Sequence, residues 1–364
     1  MAMRLCGAGG AAAAMLAIAA CSETPPRNPD VDRVDVVASG LVIPWSLALA
    51  PDGRLFVAER PGRIRVVSRD SLEREPWATL HVVDQTDRGW ETGLMGLALD
   101  PQFAESPYVY VCYTGYTPDH SPVNRVARLR EVEGRGTDMQ TLVDSIPAGP
   151  YHNGCRVKFG PDGKLYVTTG DAYKNAPAQD SASFAGKVLR INADGSIPPD
   201  NPFPRSPVWS LGHRNPQGID WDPRTHIAVI TEHGSDLIDE INVLQRGGNY
   251  GWPDARGRAG YTRFVDPALV FHVAPAGAAF IASRGAGDTS RMVVATLGGE
   301  RLLQLAVSGH DVRLERDSVV VGYGRLRDVI ASPDGSIYVA VSNRDNRGRP
   351  RHGDDRVLHI WLRR

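Results

Sequence analysis

A Pro-Asp-Gly turn followed by alternating apolar residues recurs along the chain, and it limits the possible folds more than any other feature. It stands at Pro51-Asp52-Gly53 before Leu55-Phe56-Val57, at Pro161-Asp162-Gly163 before Leu165-Tyr166-Val167, and at Pro333-Asp334-Gly335 before Ile337-Tyr338-Val339. Asp-Gly supplies the positive-φ positions of a tight turn, and a period-two apolar run is a half-buried strand. Weaker copies lie at Asp100-Pro101 with Tyr108-Val109 and at Asp222-Pro223 with Ile227 to Val229. The copies are roughly fifty to sixty residues apart, with one double gap after Pro223 that the run Arg291 to Leu297 fills. Six units of about fifty residues predict an all-β, six-bladed β-propeller with one four-stranded antiparallel sheet per blade. A β-sandwich does not repeat at this length, and no stretch keeps a helical period over three turns.

The first twenty residues stand apart from the repeat. Arg4 followed by the apolar run Ala11 to Ala20 reads as a secretory signal, too short to span a membrane. Ile18-Ala19-Ala20-Cys21 resembles a bacterial lipobox, so the expectation is cleavage before Cys21 and a lipid anchor on that residue; a plain secretory signal is the alternative. Residues 21–33 read as a Pro-rich tether and 34–364 as the propeller. The expected location is the cell envelope, at the periplasmic face or the outer membrane. A net charge of -1 gives no case for nucleic acid as a partner. Export makes a disulfide between Cys112 and Cys155 possible, and two buried thiols are equally compatible with their strand positions.

Polar side chains crowd the stretch from Trp209 to Pro253. His213-Arg214-Asn215-Pro216-Gln217-Gly218 and the segment Glu232 to Glu240 flank a short apolar run, Ile227 to Ile230, that reads as a buried strand. Stability does not need such density, because burying Arg214 or Glu240 unpaired would cost several kcal/mol. The cluster therefore reads as a site rather than a decorated loop. Upstream, Tyr151-His152-Asn153-Gly154 places a histidine on a Gly-flanked loop, which suits a general base. A lone histidine bonded to backbone is the blander alternative. No GxGxxG follows a strand, and Walker A, CxxC, GxSxG and HExxH patterns are absent.

GHRNPQG, then EHG with DEIN, then GGNYGWP, in that order, resemble the soluble quinoprotein sugar dehydrogenases (glucose/sorbosone dehydrogenases), over roughly residues 40 to 362. That resemblance implies a propeller using pyrroloquinoline quinone (PQQ) and calcium. It implies His152 as the catalytic base, with Cys155 where a glycine is usual. Arg214 and Asn215 would contact the quinone carbonyls, and Arg214 would stabilise the charge growing there. Arg325 and Arg327, alternating along a strand entry, would capture PQQ carboxylates. Glu91 stands where a Gln contacts PQQ, and Gly298 where Lys or Arg is common, so both departures make the pocket less positive. Backbone carbonyls of Gly234 and Ser235 would bind one calcium; the Glu240 carboxylate and the Tyr250 carbonyl would bind a second. The implied reaction is aldose oxidation to a lactone, with electrons passing to a quinone, cytochrome or dye acceptor. A non-enzymatic propeller binding glycan or protein, and a calcium-dependent lactonase, are the alternatives. Paired arginines and a base aimed at a quinone favour the dehydrogenase.

Overall fold

The computed structural model describes residues 28–282 and 289–363. Six antiparallel sheets form a ring, one per blade, and almost all regular structure is strand. The innermost strands are Pro44–Leu49, Leu94–Leu99, Gly154–Phe159, Pro216–Trp221, Pro275–Ile281 and Leu326–Ala331, in blades one to six. Each packs against the next, and the sixth packs against the first. Blade one differs slightly, since two short strands, Ser71–Leu72 and Ala78–Thr79, share its outer edge.

The repeated turn sets the register. In three blades it joins the innermost strand to the second, pairing Ala48 with Phe56, Lys158 with Tyr166, and Ile330 with Tyr338 at the same offset. Its glycines sit at φ 87°, 70° and 87°, the left-handed region that glycine enters at no steric cost. The ring closes by mixing the two ends of the chain. Val31–Ser39 pairs with Arg356–Leu362 as the outer strand of blade six. The propeller thus begins three residues inside the stretch read as tether. Arg33 and Asp35 face solvent on an outer strand, so polarity there disguises a strand as a linker. The signal and Cys21 lie outside the described residues.

Apolar side chains fill the spaces between blades. Phe56, Trp77 and Phe103 meet edge to face between blades one and two, at centroid distances of 5.5 and 5.7 Å. Between blades two and three the buried Cys112 and Cys155 are joined as a disulfide, which settles the open choice. Their sequence separation of 43 residues makes the bridge worth about 4 kcal/mol in a chain-entropy account. Cys112→Ala with Cys155→Ala should therefore lower the unfolding free energy by up to that amount in denaturant titration. An unchanged midpoint would mean that the bridge adds nothing to stability.

One irregularity recurs in every blade. Each innermost strand carries one extra residue near its start, between Pro44 and Ser46, Leu94 and Gly96, Gly154 and Val157, Pro216 and Gly218, Pro275 and Ala278, and Leu326 and Asp328. A bulge turns a side chain away from the normal alternation and is common beside functional sites. Six bulges at equivalent places mark one end of the channel.

Candidate active site

Trp45, Met95, Gln217 and Arg327 are bulge residues from four blades, and they meet at one narrow cavity. Arg60, Glu91, Asn153 and Gly154 complete its lining. Its volume of about 10 Å³ is the room of one water. The bulges thus gather residues far apart in sequence at the channel mouth.

His152 stands on the loop just before the innermost strand of blade three. Its φ of 59° puts it in the left-handed region, so its backbone must be held there by its surroundings. They do so. The Asn153 side chain bonds Gly149 through both its oxygen (3.1 Å) and its nitrogen (2.9 Å), and Gly154 N donates to Asn215 Oδ1 at 3.1 Å. A Cβ on Gly170 would lie 1.9 Å from the His152 carbonyl oxygen, so only glycine lets the two segments meet. Asp171 then orients the ring. Its Oδ1 lies 2.8 Å from His152 Nδ1 and accepts from Tyr173 N at 2.7 Å; its Oδ2 accepts from Trp252 Nε1 at 2.8 Å. A carboxylate in that place fixes the proton on Nδ1 and leaves the Nε2 lone pair as the accepting atom.

No sequence pattern singles out Asp171. It follows His152 by nineteen residues, two past the end of the neighbouring strand Leu165–Thr169, and the pairing of Gly154 with Thr169 brings the two together. The signal available is the chemistry itself, since a working base needs a group to orient it.

Several arginines belong to the same region, linked to the histidine through Trp252, Glu91 and Gln217. Arg214 donates from Nη1 to the His233 carbonyl at 3.1 Å, and its guanidinium lies 5.3 Å from the Trp252 ring centroid. Arg327 donates from Nη1 to Gln217 Oε1 at 3.1 Å. The Nε atoms of both arginines are buried without a hydrogen-bond partner among the described residues. Burial pulls Arg327 down to about 9, against the pull of Asp345. Asn215 spends its Oδ1 on Gly154 N and on Gln217 Nε2 at 3.0 Å, bracing the base loop against the bulge of blade four. Arg325 and Arg327 do share one side, meeting at Asp345 Oδ2 at 2.8 and 3.6 Å. Two nitrogens of Arg325, Nε and Nη2, are already spent on that oxygen, so Arg327 has the spare N–H. Arg60 is a further buried guanidinium that no sequence motif marks.

Glu91 is paired. Its Oε1 accepts from Arg347 Nη1 at 2.6 Å and its Oε2 from His152 N at 3.2 Å. Burial would raise its pKa, but Arg347, with His233 and Arg327, outweighs that and holds it at about 2. It is therefore an ionised carboxylate whose charge Arg347 balances. A Cβ on Gly298 would lie 3.3 Å from the Val273 carbonyl oxygen, a tight contact, so a cation there would need the backbone at Val273 to give slightly.

The residues read as two separate calcium sites line a single hole instead. Gly234, Ser235, Glu240 and Tyr250 line one hole of about 10 Å³ together with Gly212, Arg214 and Glu232. A Cβ on Gly234 would fall 1.5 Å from the Ile238 carbonyl oxygen, so the loop requires glycine. Glu240 accepts from Asn242 Nδ2 at 3.1 Å and from Gly257 N at 2.9 Å. Burial, then Glu232 beside it, pushes Glu240 up to about 7. No group of three or more His, Cys, Asp or Glu suited to a metal exists among the described residues. The donors on offer are two carboxylates and backbone carbonyls, a set that suits a hard cation such as Ca²⁺ rather than a transition metal.

A histidine whose Nδ1 meets a buried carboxylate, with Arg60 and Arg327 buried and Arg214 half-buried in the same propeller, is the candidate active site. Residues 41–349 match the glucose/sorbosone dehydrogenase family model, and the chain belongs to that family. It is 30% identical over 338 residues to the aldose sugar dehydrogenase YliI of Escherichia coli, covering 85% of this chain and 90% of that one. It is 34% identical over 253 residues to quinoprotein glucose dehydrogenase B of Acinetobacter calcoaceticus, spanning 61% of this chain and 52% of that protein. The PQQ-bound aldose sugar dehydrogenase of Streptomyces coelicolor superposes with a TM-score of 0.82 at 35% identity, covering 93% of this chain and 100% of that chain.

Proposed function

We propose that the protein oxidises aldose sugars at the anomeric carbon to lactones, with PQQ as cofactor and calcium beside it. One observation carries the reading. His152 has its Nδ1 committed to Asp171, Arg214 lies over the Trp252 ring that bonds the same carboxylate, and Arg214 and Arg327 each keep a buried Nε without a partner among the described residues. A buried donor without a partner is costly, and a planar, oxygen-rich anion would satisfy both arginines. PQQ, when bound, supplies an o-quinone that accepts two electrons as hydride. The chain supplies the rest. His152 Nε2 takes the proton of the anomeric hydroxyl, Asp171 steadies the resulting imidazolium, and Arg214 offers positive charge where the quinone oxygens would lie. Gly234, Ser235, Glu240 and Tyr250 would hold calcium. A sugar-binding propeller without catalysis would have no use for a base aimed in this way. Electrons would leave to a quinone, cytochrome or dye.

The test is titration of PQQ with Ca²⁺ into the protein from residue 22 onward, followed by quinone absorbance. Expected is saturable binding that needs Ca²⁺, fails in Arg214→Ala, and is bleached by an aldose. No binding at micromolar PQQ would reject the reading. Arg347→Met should weaken PQQ about tenfold, because it leaves the Glu91 charge unbalanced before a tricarboxylate. Adding Glu91→Gln should restore most of that affinity, and two independent, additive effects would show that the pair is not coupled. We also propose that acylated Cys21 holds the protein on the cell envelope. Labelled palmitate should enter the wild-type chain and not Cys21→Ala.

A further inference from the structure

We propose that Tyr173 is the platform on which the sugar ring is seated, its aromatic face meeting the C–H face of a pyranose. This rests on the dehydrogenase reading of the same site and adds to it the residue that binds substrate. Tyr173 is 61% exposed, although it stands beside the buried base. Its ring centroid lies 5.1 Å from that of His152 and 5.6 Å from that of Tyr151, both edge to face. Arg347 in turn lies over Tyr151 at 5.4 Å.

The backbone presents this ring at a cost. Ala172 and Tyr173 both have positive φ, 54° and 62°, a conformation that side chains other than glycine rarely adopt. Such a conformation persists where the surroundings fix it, and it clusters at sites of function. Here Ala172 N donates to the His152 carbonyl at 3.1 Å, Tyr173 N donates to Asp171 Oδ1 at 2.7 Å, and Lys174 N donates to the Asp171 carbonyl at 2.9 Å. A Cβ on Gly149 would meet the Ala172 carbonyl oxygen at 2.4 Å, so the loop is locked from behind as well. One carboxylate oxygen, Asp171 Oδ1, thus fixes both the base and the residue that carries the ring. An aromatic face held rigidly in solvent next to a catalytic nitrogen suits a ligand with one apolar face and many hydroxyls. A pyranose has that form, and Tyr173 lies 5.1 Å, centroid to centroid, from the imidazole proposed to take the proton of its anomeric hydroxyl.

Tyr173→Ala and Tyr173→Phe would be compared with wild type in two ways. One is steady-state oxidation of glucose, xylose and maltose by the PQQ-loaded protein. The other is saturation-transfer NMR with the same sugars on the PQQ-free protein. An aromatic contact of this kind corresponds to a change of about three- to tenfold. Expected are a KM raised by that factor in Tyr173→Ala with the shape of the pH–rate profile kept, loss of saturation transfer to the sugar ring protons, and recovery of both in Tyr173→Phe. KM within twofold of wild type with saturation transfer intact would overturn the proposal. So would a fall in kcat at unchanged KM, which would make Tyr173 only a packing partner of His152. If wild type oxidises none of the sugars but transfers saturation to one of them through Tyr173, the oxidation reading fails and the platform stands. Neither turnover nor transfer in wild type would reject both.

Discussion

His152→Ala should lower kcat by about a hundredfold to ten-thousandfold, the span of general-base catalysis, while the protein stays folded. The His152 side chain is 11% exposed, and the strand pairing of blade three begins beyond it at Gly154. Asp171→Asn is the sharper test, because it removes a charge and almost no volume. Three donors converge on the Asp171 carboxylate: His152 Nδ1 and Tyr173 N on Oδ1, and Trp252 Nε1 on Oδ2. An amide has one accepting oxygen. If that oxygen serves His152 and Tyr173, its NH₂ faces the Trp252 N–H. If it serves Trp252, its NH₂ faces the other two donors. Either way the constellation that fixes the proton on Nδ1 is broken. We expect kcat to fall by about a hundredfold with PQQ affinity kept, measured as dye reduction at saturating aldose together with a PQQ titration. Activity within twofold of wild type would show that Asp171 does not orient the base.

What the sequence discloses and what it hides follow from how far each interaction reaches along the chain. The Pro-Asp-Gly hairpins are local, so their strands and register are legible in the order of residues alone. Arg214 and Asn215 stand out because their motif is dense and contiguous, and His152 because it sits on a short Gly-flanked loop that matches the family resemblance. Asp171 and Asp345 are not, because each meets its partner through the strand pairing of its own blade, about twenty residues away and with no motif to mark it, and Arg60 and Arg347 are not, because they reach the next blade or across the ring. Arg347, for example, reaches Glu91 across 256 residues. The same reason hides the fate of Arg325, whose spacing gives its side but not its pairing with Asp345. Nor can spacing choose between two thiols and a bridge for Cys112 and Cys155. That depends on the second strand of blade two, Tyr108–Tyr116, lying against the innermost strand of blade three. The first strand is hidden at Val31 because an outer strand needs few apolar residues.

Arg156→Ala should destabilise the propeller by about 3–5 kcal/mol, the cost of stranding one member of a buried ion pair. Arg156 is 4% exposed and spans the channel. Its Nη1 donates to Asp328 Oδ2 and to Ser46 Oγ, both at 2.9 Å, and its Nε donates to the Gln217 carbonyl at 2.9 Å. Its guanidinium lies 4.3 Å from the Trp45 ring centroid. Asp328 Oδ2 also accepts from Leu47 N at 2.8 Å, and a Cβ on Gly277 would come within 1.9 Å of Asp328 Oδ1. Blades one, three, four and six are thus bonded through one guanidinium, with blade five pressed against its partner. Burial alone would draw the Arg156 pKa down; Asp328 opposes that. Removing the arginine leaves Asp328 charged and 3% exposed with only an amide to face it. Arg156→Met, Asp328→Asn and the double variant would be compared by denaturant unfolding. If the pair acts as a unit, the double variant loses less than the sum of the two singles. Strict additivity would mean that the pair contributes no coupling and that the ring holds without it. Asp328 directly follows Arg327, so the same variants should also slacken the guanidinium proposed to hold PQQ. A PQQ affinity that falls in step with stability across the three variants would show that this staple also holds the site in place.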